Sequence, residues 1–329
     1  MNISIIGGGA WGTTLAQTLA DNNNDVLIRD INLDFVKKIN RYHVHPSFDV
    51  SIPSSIKATV SLEEALAFGD YLILCVPTKV MRQVLGEINN LLKTPKVFIN
   101  VSKGIEPETT FLVSDIIKET ISREKLLSYV VLSGPSHAEE LIKRKFTTLV
   151  SASENEEYAK KIQELFSNDY LRVYTSKDVR GVEAGGAIKN AIAVVSGIVE
   201  GLGLGENARA ALICRGMKEI VKVVTALGGS IETAYGLSGL GDLIVTASSY
   251  NSRNFKAGLK IGQGQSVDEA ISTSTQTVEG IRTIVAAHQI GVKYQMELPI
   301  IDTSFLLVSG KISLKESQNL LLSRKLKQE

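Results

Sequence analysis

Cysteine, tryptophan and net charge are all scarce in this chain. Of its 329 residues, two are cysteine and one is tryptophan. Cys75 and Cys214 are too few and too far apart for a disulfide framework, and they fit a reducing compartment. The two cysteines and four histidines form no C-x-x-C or H-x-x-x-H spacing, so no metal site is expected. Lys and Arg number 36 against 35 Asp and Glu, a net charge of +1, which leaves no basic excess to hold nucleic acid. Hydrophobic residues make up 44%, which excludes a disordered polar chain. Residues 1–20 carry no charged side chain, but a signal peptide needs a basic start, and the first cation here is Arg29. No clean run of about 18–20 apolar residues stands out as an integral membrane segment. A soluble, cytoplasmic protein is expected.

The length suggests two domains. The first half alternates short apolar runs with helical patterns. Strands are expected near residues 2–6, 25–30, 56–60, 71–76, 96–102, 129–133, 146–151 and 170–174, with helices near 11–21, 61–68, 79–91 and 154–166. Several strands are continuous apolar runs (YLILCV, KVFINV, YVVLS), as in a sheet covered on both faces. Ser61 and Glu64 have the spacing of a capping box. Near residue 179 the pattern changes to helices at 181–200, 206–227, 278–289 and 311–324, with almost no strand signal. The expected fold is α/β: a doubly wound, largely parallel sheet over 1–178, followed by an all-helical domain over 179–329.

The chain opens MNISIIGGGAWGTTLA, so Gly7, Gly9 and Gly12 fit G-x-G-x-x-G between the first strand and first helix. Gly7 permits the tight turn, Gly9 lets backbone approach a pyrophosphate, and Gly12 lets the helix pack close to the strand. Asp30 ends the second strand at about the ~20-residue spacing of a ribose-binding acid. This is the fingerprint of a Rossmann-type dinucleotide domain. Asp30 would accept from a ribose 2′-hydroxyl and favour NAD, whereas its neighbour Arg29 could pair with a 2′-phosphate and favour NADP. Both readings stay open.

Further polar residues follow strand ends, where ligands collect in open α/β sheets. Trp11 follows the first strand, Lys103 follows KVFINVS, and Gly134, Ser136 and Ala138 follow YVVLS in the turn SGPSHA. Lys103 reads equally as a solvated loop lysine. Lys189 lies in an apolar, small-residue stretch, with Gly185 and Gly186 at i−4 and i−3. It either snorkels to water or is held in a cavity opened by those glycines, where burial and a second cation would suit it to proton transfer. Asp242 follows the glycine-rich GLSGLG and either orients that lysine or caps the next helix. Ser252, Arg253 and Asn254 open a helix that suits a phosphate dianion, or else is simply a solvated helix start. Glu279, in QTVEG, either caps a helix or contacts the cofactor.

Taken together, GGGAWG, SKG at 102–104, SGPS at 133–136, GGAIKN at 185–190, GLGDL at 239–243, SRN and VEG closely resemble the NAD(P)-dependent glycerol-3-phosphate dehydrogenase family. The resemblance runs in one order from residue 3 to about residue 325. It implies hydride transfer between NAD(P) and C2 of sn-glycerol 3-phosphate or dihydroxyacetone phosphate, a step that supplies phospholipid synthesis. It implies Lys189 as general acid/base beside Asp242. It places substrate contacts at Lys103, Gly134, Ser136, Asp242, Ser252, Arg253 and Asn254. Dinucleotide contacts would fall at Trp11, Lys103, Ala138, Arg253 and Glu279. The family is often dimeric, which implies a homodimer. Where relatives usually have Trp and then His or Arg after the second strand, this chain has IRDIN, with Arg29 in the Trp position.

Two rivals are weighed against this reading. A related two-domain hydroxy-acid or nucleotide-sugar dehydrogenase would need either no phosphate site or a presented cysteine nucleophile. Cys75 falls in an expected strand and Cys214 in an expected helix. A non-catalytic dinucleotide-sensing module would leave Lys189 and Asp242 without a purpose.

Overall fold

The computed structural model describes residues 1–272 and 278–322. The chain divides into two compact units. The first comprises Met1–Lys103 and Leu112–Glu183, and the second Gly104–Phe111 and the chain from Ala184 onward.

The first unit is built on eight strands: β1 (Asn2–Ile6), β2 (Asp25–Arg29), β3 (Lys57–Thr59), β4 (Tyr71–Leu74), β5 (Lys96–Asn100), β6 (Leu126–Ser133), β7 (Thr147–Ala152) and β8 (Leu171–Ser176). They form one sheet in the order β3-β2-β1-β4-β5-β6-β7-β8. Every pairing is parallel except β6 with β7. The order reverses at β1, which lies between β2 and β4, and such a reversal is where open α/β sheets bind ligands. All five residues of β5 are buried, the polar Lys96 and Asn100 at its ends as well as Val97, Phe98 and Ile99 between them. Helix α1 (Ala10–Asp21) packs Leu15 and Leu19 onto Ile3, Ile5 and Ile28 of the core.

The expected capping box at Ser61 is only half formed. Ser61 Oγ accepts from the Glu64 amide at 3.1 Å. The Glu64 carboxylate instead takes the Thr59 hydroxyl, and the Ser61 amide also donates to Thr59 Oγ1. Thr59 at the end of β3 therefore competes successfully for the acid.

The second unit is helical among the described residues. It holds most of the 23-residue helix Val179–Gly201, with Gly205–Ala226, Arg253–Gly262, Glu279–Lys293, Pro299–Val308 and Leu314–Leu322. The helix expected at 311–324 starts at Leu314, and its residues 323–324 lie outside the described residues. The helix at Pro299 starts on a proline, and buried Glu219 accepts from the amides of Ile300 and Ile301 at 2.8 and 3.0 Å. That distant carboxylate satisfies first-turn donors that have no partner within their own helix.

Val179–Gly201 is the one described helix long and apolar enough to cross a membrane, and 94% of its apolar window is buried inside the protein. A helix apolar on every side belongs in a core. Its packing depends on the absence of side chains. A Cβ at Gly197 would strike the carbonyl oxygen of Phe255, and one at Gly258 would strike that of Val194. The helices Val179–Gly201 and Arg253–Gly262 therefore meet backbone to backbone.

The two compact units part inside this helix, at 183/184, and residues 104–111 fall with the second. Arg180 pairs with Asp115 at 2.7 Å. Glu183, 7% exposed, accepts from the Ser114 amide at 3.0 Å, the Ser114 hydroxyl at 2.5 Å and the Tyr129 hydroxyl at 2.5 Å. These bonds hold residues 179–183 to the first unit.

Burial raises the Glu183 carboxyl from its ordinary value of 4.5 to about 7, against the lowering effect of its three donors. A carboxyl raised on folding binds more protons in the folded state, so its contribution to stability falls as pH rises towards 7. Urea unfolding of Glu183→Gln and its parent across about pH 4.5–8 should show the variant gaining relative stability over that window. A pH-independent difference would contradict a proton held on Glu183.

Candidate functional site

The glycine-rich turn is built from the end of β1 and the start of α1. Gly7 has φ +117°, and a Cβ there would strike the carbonyl oxygen of Cys75 beside β4. A Cβ on Gly12 would strike the carbonyl of Gly7, so the helix can reach this position only through glycine. Gly9, the helix N-cap, has nothing within 4 Å of its Cβ position. Open space there, above a 12-residue helix with no acid in its first turn, suits an anion.

Each peptide unit of the turn is fixed by a bond at one end. The Gly8 amide donates to Asp30 Oδ2 at 2.6 Å. Thr13 Oγ1 donates to the Gly8 carbonyl at 2.9 Å, and the Thr13 amide donates to that of Gly9 at 3.1 Å. Thr14 Oγ1 donates to the Ala10 carbonyl at 2.7 Å. Because a peptide unit is planar, clamping these carbonyls sets the opposite N–H groups of Gly9, Ala10 and Trp11, which have no acceptor inside the helix. Backbone donors in this arrangement fit a pyrophosphate.

Asp30 has a structural duty in addition to the ligand role expected of it. Its Oδ1 accepts from the Asn32 amide at 2.8 Å while Oδ2 holds Gly8. Each oxygen keeps a second lone pair for a ribose hydroxyl. Arg29 Nε is buried without a hydrogen-bond partner, and the side chain lines a cleft of about 450 Å³ with Val60, Ser61, Leu62 and Glu87. An orphaned guanidinium donor beside the acid fits the adenosine end of a dinucleotide.

Lys103, Gly134 and Ser136 come together in the same unit. Lys103 Nζ donates to the Gly134 carbonyl at 2.9 Å, and Ser136 Oγ donates to the same atom at 3.0 Å. Gly134 adopts φ +142°, and Ala138 is buried at the start of a short helix.

In the second unit Lys189 is held in place and does not snorkel. It is 5% exposed, and its Nζ donates to Asp242 Oδ1 at 2.9 Å and Thr246 Oγ1 at 2.6 Å. Asp242 is 2% exposed and is the first residue of the helix Asp242–Ala247. The preceding Leu237–Gly241 is a single wide turn of π-helix, a form frequent at functional sites. Gly239 approaches Gly185 so closely that a Cβ on the latter would lie 3.2 Å from Gly239 Cα. Gly185 thus admits the loop that carries the partner of Lys189.

Ser252 caps the helix Arg253–Gly262 through a 3.2 Å bond from the Phe255 amide. Arg253 is half-buried at its first position. Asn254 Nδ2 donates to Asn190 Oδ1 at 2.9 Å, and its Oδ1 accepts from the Gly280 amide at 2.9 Å. Asn254 therefore ties the residue after Lys189 to the start of the helix Glu279–Lys293, where Glu279 is the first residue.

Sequence reasoning missed Thr246, Asn190 and His45. Thr246 lies four residues after Asp242, a helical spacing that could have found it. Asn190 was visible within GGAIKN. His45 sits in a loop and bonds to the first turn of α1. Cys75 is half-buried beyond β4, whereas Cys214, expected to be hidden in its helix, is exposed.

Two family models match this chain: the N-terminal part of NAD-dependent glycerol-3-phosphate dehydrogenase over residues 2–159, and its C-terminal part over residues 178–319. A glycerol-3-phosphate dehydrogenase [NAD(P)+] of Acholeplasma laidlawii is 57% identical over 330 residues, covering 100% of this chain and 99% of the relative. That of Phytoplasma mali is 47% identical with the same coverage. The crystal structure of glycerol-3-phosphate dehydrogenase from Coxiella burnetii superposes with a TM-score of 0.92 at 31% identity, covering 98% of each chain. With both halves matched in order and close relatives matched end to end, the chain belongs to the NAD-dependent glycerol-3-phosphate dehydrogenase family.

Proposed function

We propose that the chain interconverts sn-glycerol 3-phosphate and dihydroxyacetone phosphate, with Lys189 as the proton donor and acceptor at the C2 oxygen. The observation that carries this reading is the buried Lys189–Asp242–Thr246 cluster. The bound nicotinamide supplies hydride to C2 or removes it. As the carbonyl gains hydride, its oxygen develops alkoxide charge, and Lys189 Nζ gives it a proton. In the reverse direction Lys189 takes that proton back. Asp242 and Thr246 fix Nζ in position, because a flexible lysine stem otherwise samples many rotamers.

Arg253, at the first position of a ten-residue helix, is assigned to the phosphate dianion, with Ser252 and Asn254 beside it. Ser252 retains its hydroxyl proton and Asn254 an amide proton after their structural bonds, so both can donate. Lys103, Gly134 and Ser136 are assigned to substrate, with Lys103 shared by the cofactor. Gly7, Gly9, Trp11, Gly12, Arg29, Asp30, Ala138, Arg253 and Glu279 are assigned to the dinucleotide. A homodimer working in the cytoplasm and feeding phospholipid synthesis completes the reading.

Removing Lys189 deletes the proton carrier. Lys189→Ala should lose about 10²–10⁴-fold in kcat while NADH binding, read by fluorescence titration, is retained. Near-parental turnover would sink the assignment.

Arg253→Ala should raise KM for dihydroxyacetone phosphate by roughly 10–100-fold, the loss of a charged hydrogen bond. Unphosphorylated dihydroxyacetone should be a poor substrate for parent and variant alike. If the parent used both substrates equally well, no phosphate site would be at work.

Cofactor choice turns on Arg29 and Asp30, tested by NADH and NADPH oxidation side by side. Arg29→Ala should weaken NADPH by roughly tenfold relative to NADH. An unchanged ratio would show that Arg29 does not read a 2′-phosphate.

A further inference from the structure

The loop between the second and third strands contains a buried histidine that the proposed chemistry does not use. His45 is 1% exposed. Its Nδ1 accepts from the Ser47 amide at 3.1 Å, which leaves the proton on Nε2. Nε2 then faces the Ala10 carbonyl at 3.1 Å and Thr14 Oγ1 at 3.4 Å. The loop is braced by the His45 amide on Val50 and the Ile52 amide on His43. Phe48 stacks on the imidazole at 4.5 Å between ring centroids.

Ala10 is the first residue of α1, and its carbonyl shares one planar peptide unit with the Trp11 amide. A donor on that oxygen fixes the plane and so the direction of the Trp11 N–H, and it polarises the same amide. Protonated imidazole would meet the Ser47 donor with a second donor and would put a cation at the positive end of α1. Burial opposes this by pushing the ring's pKa down to about 4.

We infer that His45 is a positioning residue for the dinucleotide: its neutral Nε2–H aims the first-turn amides of α1 at the pyrophosphate. This rests on the reading of α1 as the cofactor helix.

Two isosteres separate this role from simple loop stability. The amide of Gln overlays Nε2 and keeps a donor for Ala10, but it loses the acceptor for Ser47. The carbonyl of Asn overlays Nδ1 and keeps that acceptor, but it loses the donor for Ala10. NADH affinity is read through Trp11, the only tryptophan in the chain, which lies in that first turn. His45→Asn should bind NADH about five- to tenfold more weakly and His45→Gln within about twofold of the parent, for the loss or retention of one hydrogen bond. KM for dihydroxyacetone phosphate and kcat at saturating NADH should stay within about twofold in both.

Equal affinities for the two variants, or the reverse order, would overturn the inference, because a purely structural loop contact favours Asn. Thr14→Val, which removes the other side-chain donor to Ala10, guards against a misfolded His45 variant. It should weaken NADH by about threefold, and parental affinity would count equally against the inference. Failure of the parent itself to bind NADH would instead refute the cofactor reading.

Discussion

Contact of backbone with backbone, possible only where a Cβ is missing, positions the first helix, the Lys189–Asp242 pair and the helix of Arg253. Gly12 lets α1 reach the carbonyl of Gly7, which places the first-turn amides at the end of β1. Gly185 admits the loop at Gly239, and that loop delivers Asp242 to Lys189. Gly197 and Gly258 let the helix of Arg253 lie directly on the helix of Lys189. A side chain at any of these points would displace a main chain, which cannot yield as a rotamer can. The high glycine content of the motifs is thus a packing requirement at each crossing.

That packing has an electrostatic consequence. Close approach leaves little room for water, so each ionisable group inside must find a partner within the protein. Lys189 meets Asp242 and Thr246; Glu183, six residues earlier on the same helix, meets Ser114 and Tyr129. The two solutions differ. The lysine is matched by an opposite charge, whereas the glutamate is surrounded by neutral donors and burial favours its protonated form. One helix therefore carries a paired charge at Lys189 and, where the first unit is braced, an acid whose burial favours the protonated form.

Much of this was legible in the sequence because its signals are local. The fingerprint glycines, the continuous apolar strands and the lysine among small residues each declare themselves within a few positions. What was hidden depends on partners far along the chain. Glu219 serves a helix 81 residues away, and His45 a helix 35 residues back. Glu64 was lost to a nearer rival, since Thr59, five residues back, takes its carboxylate once β3 is placed. The two compact units part inside a helix that reads as one piece in sequence, because its first residues bond to Asp115 and Ser114.

The two anions assigned to this chain would be met by different means, neither of which needs a basic excess in the composition. The first turn of α1 offers a pyrophosphate oriented amides whose carbonyl ends are held by Thr13, Thr14 and His45. Those dipoles act only if their direction is fixed, and the surrounding hydrogen bonds do this. A phosphate dianion carries more charge in a smaller volume, and to it the chain offers a full cation, Arg253, on a helix start. An amide nest tolerates the acid Asp30 close by, since the carboxylate is itself bonded to the nest at Gly8. The same acid beside Arg253 would neutralise the cation, and the residues flanking it, Ser252 and Asn254, are uncharged donors. A balanced composition is therefore compatible with two anion sites, one built chiefly on aligned dipoles and the other on a cation placed at a helix start.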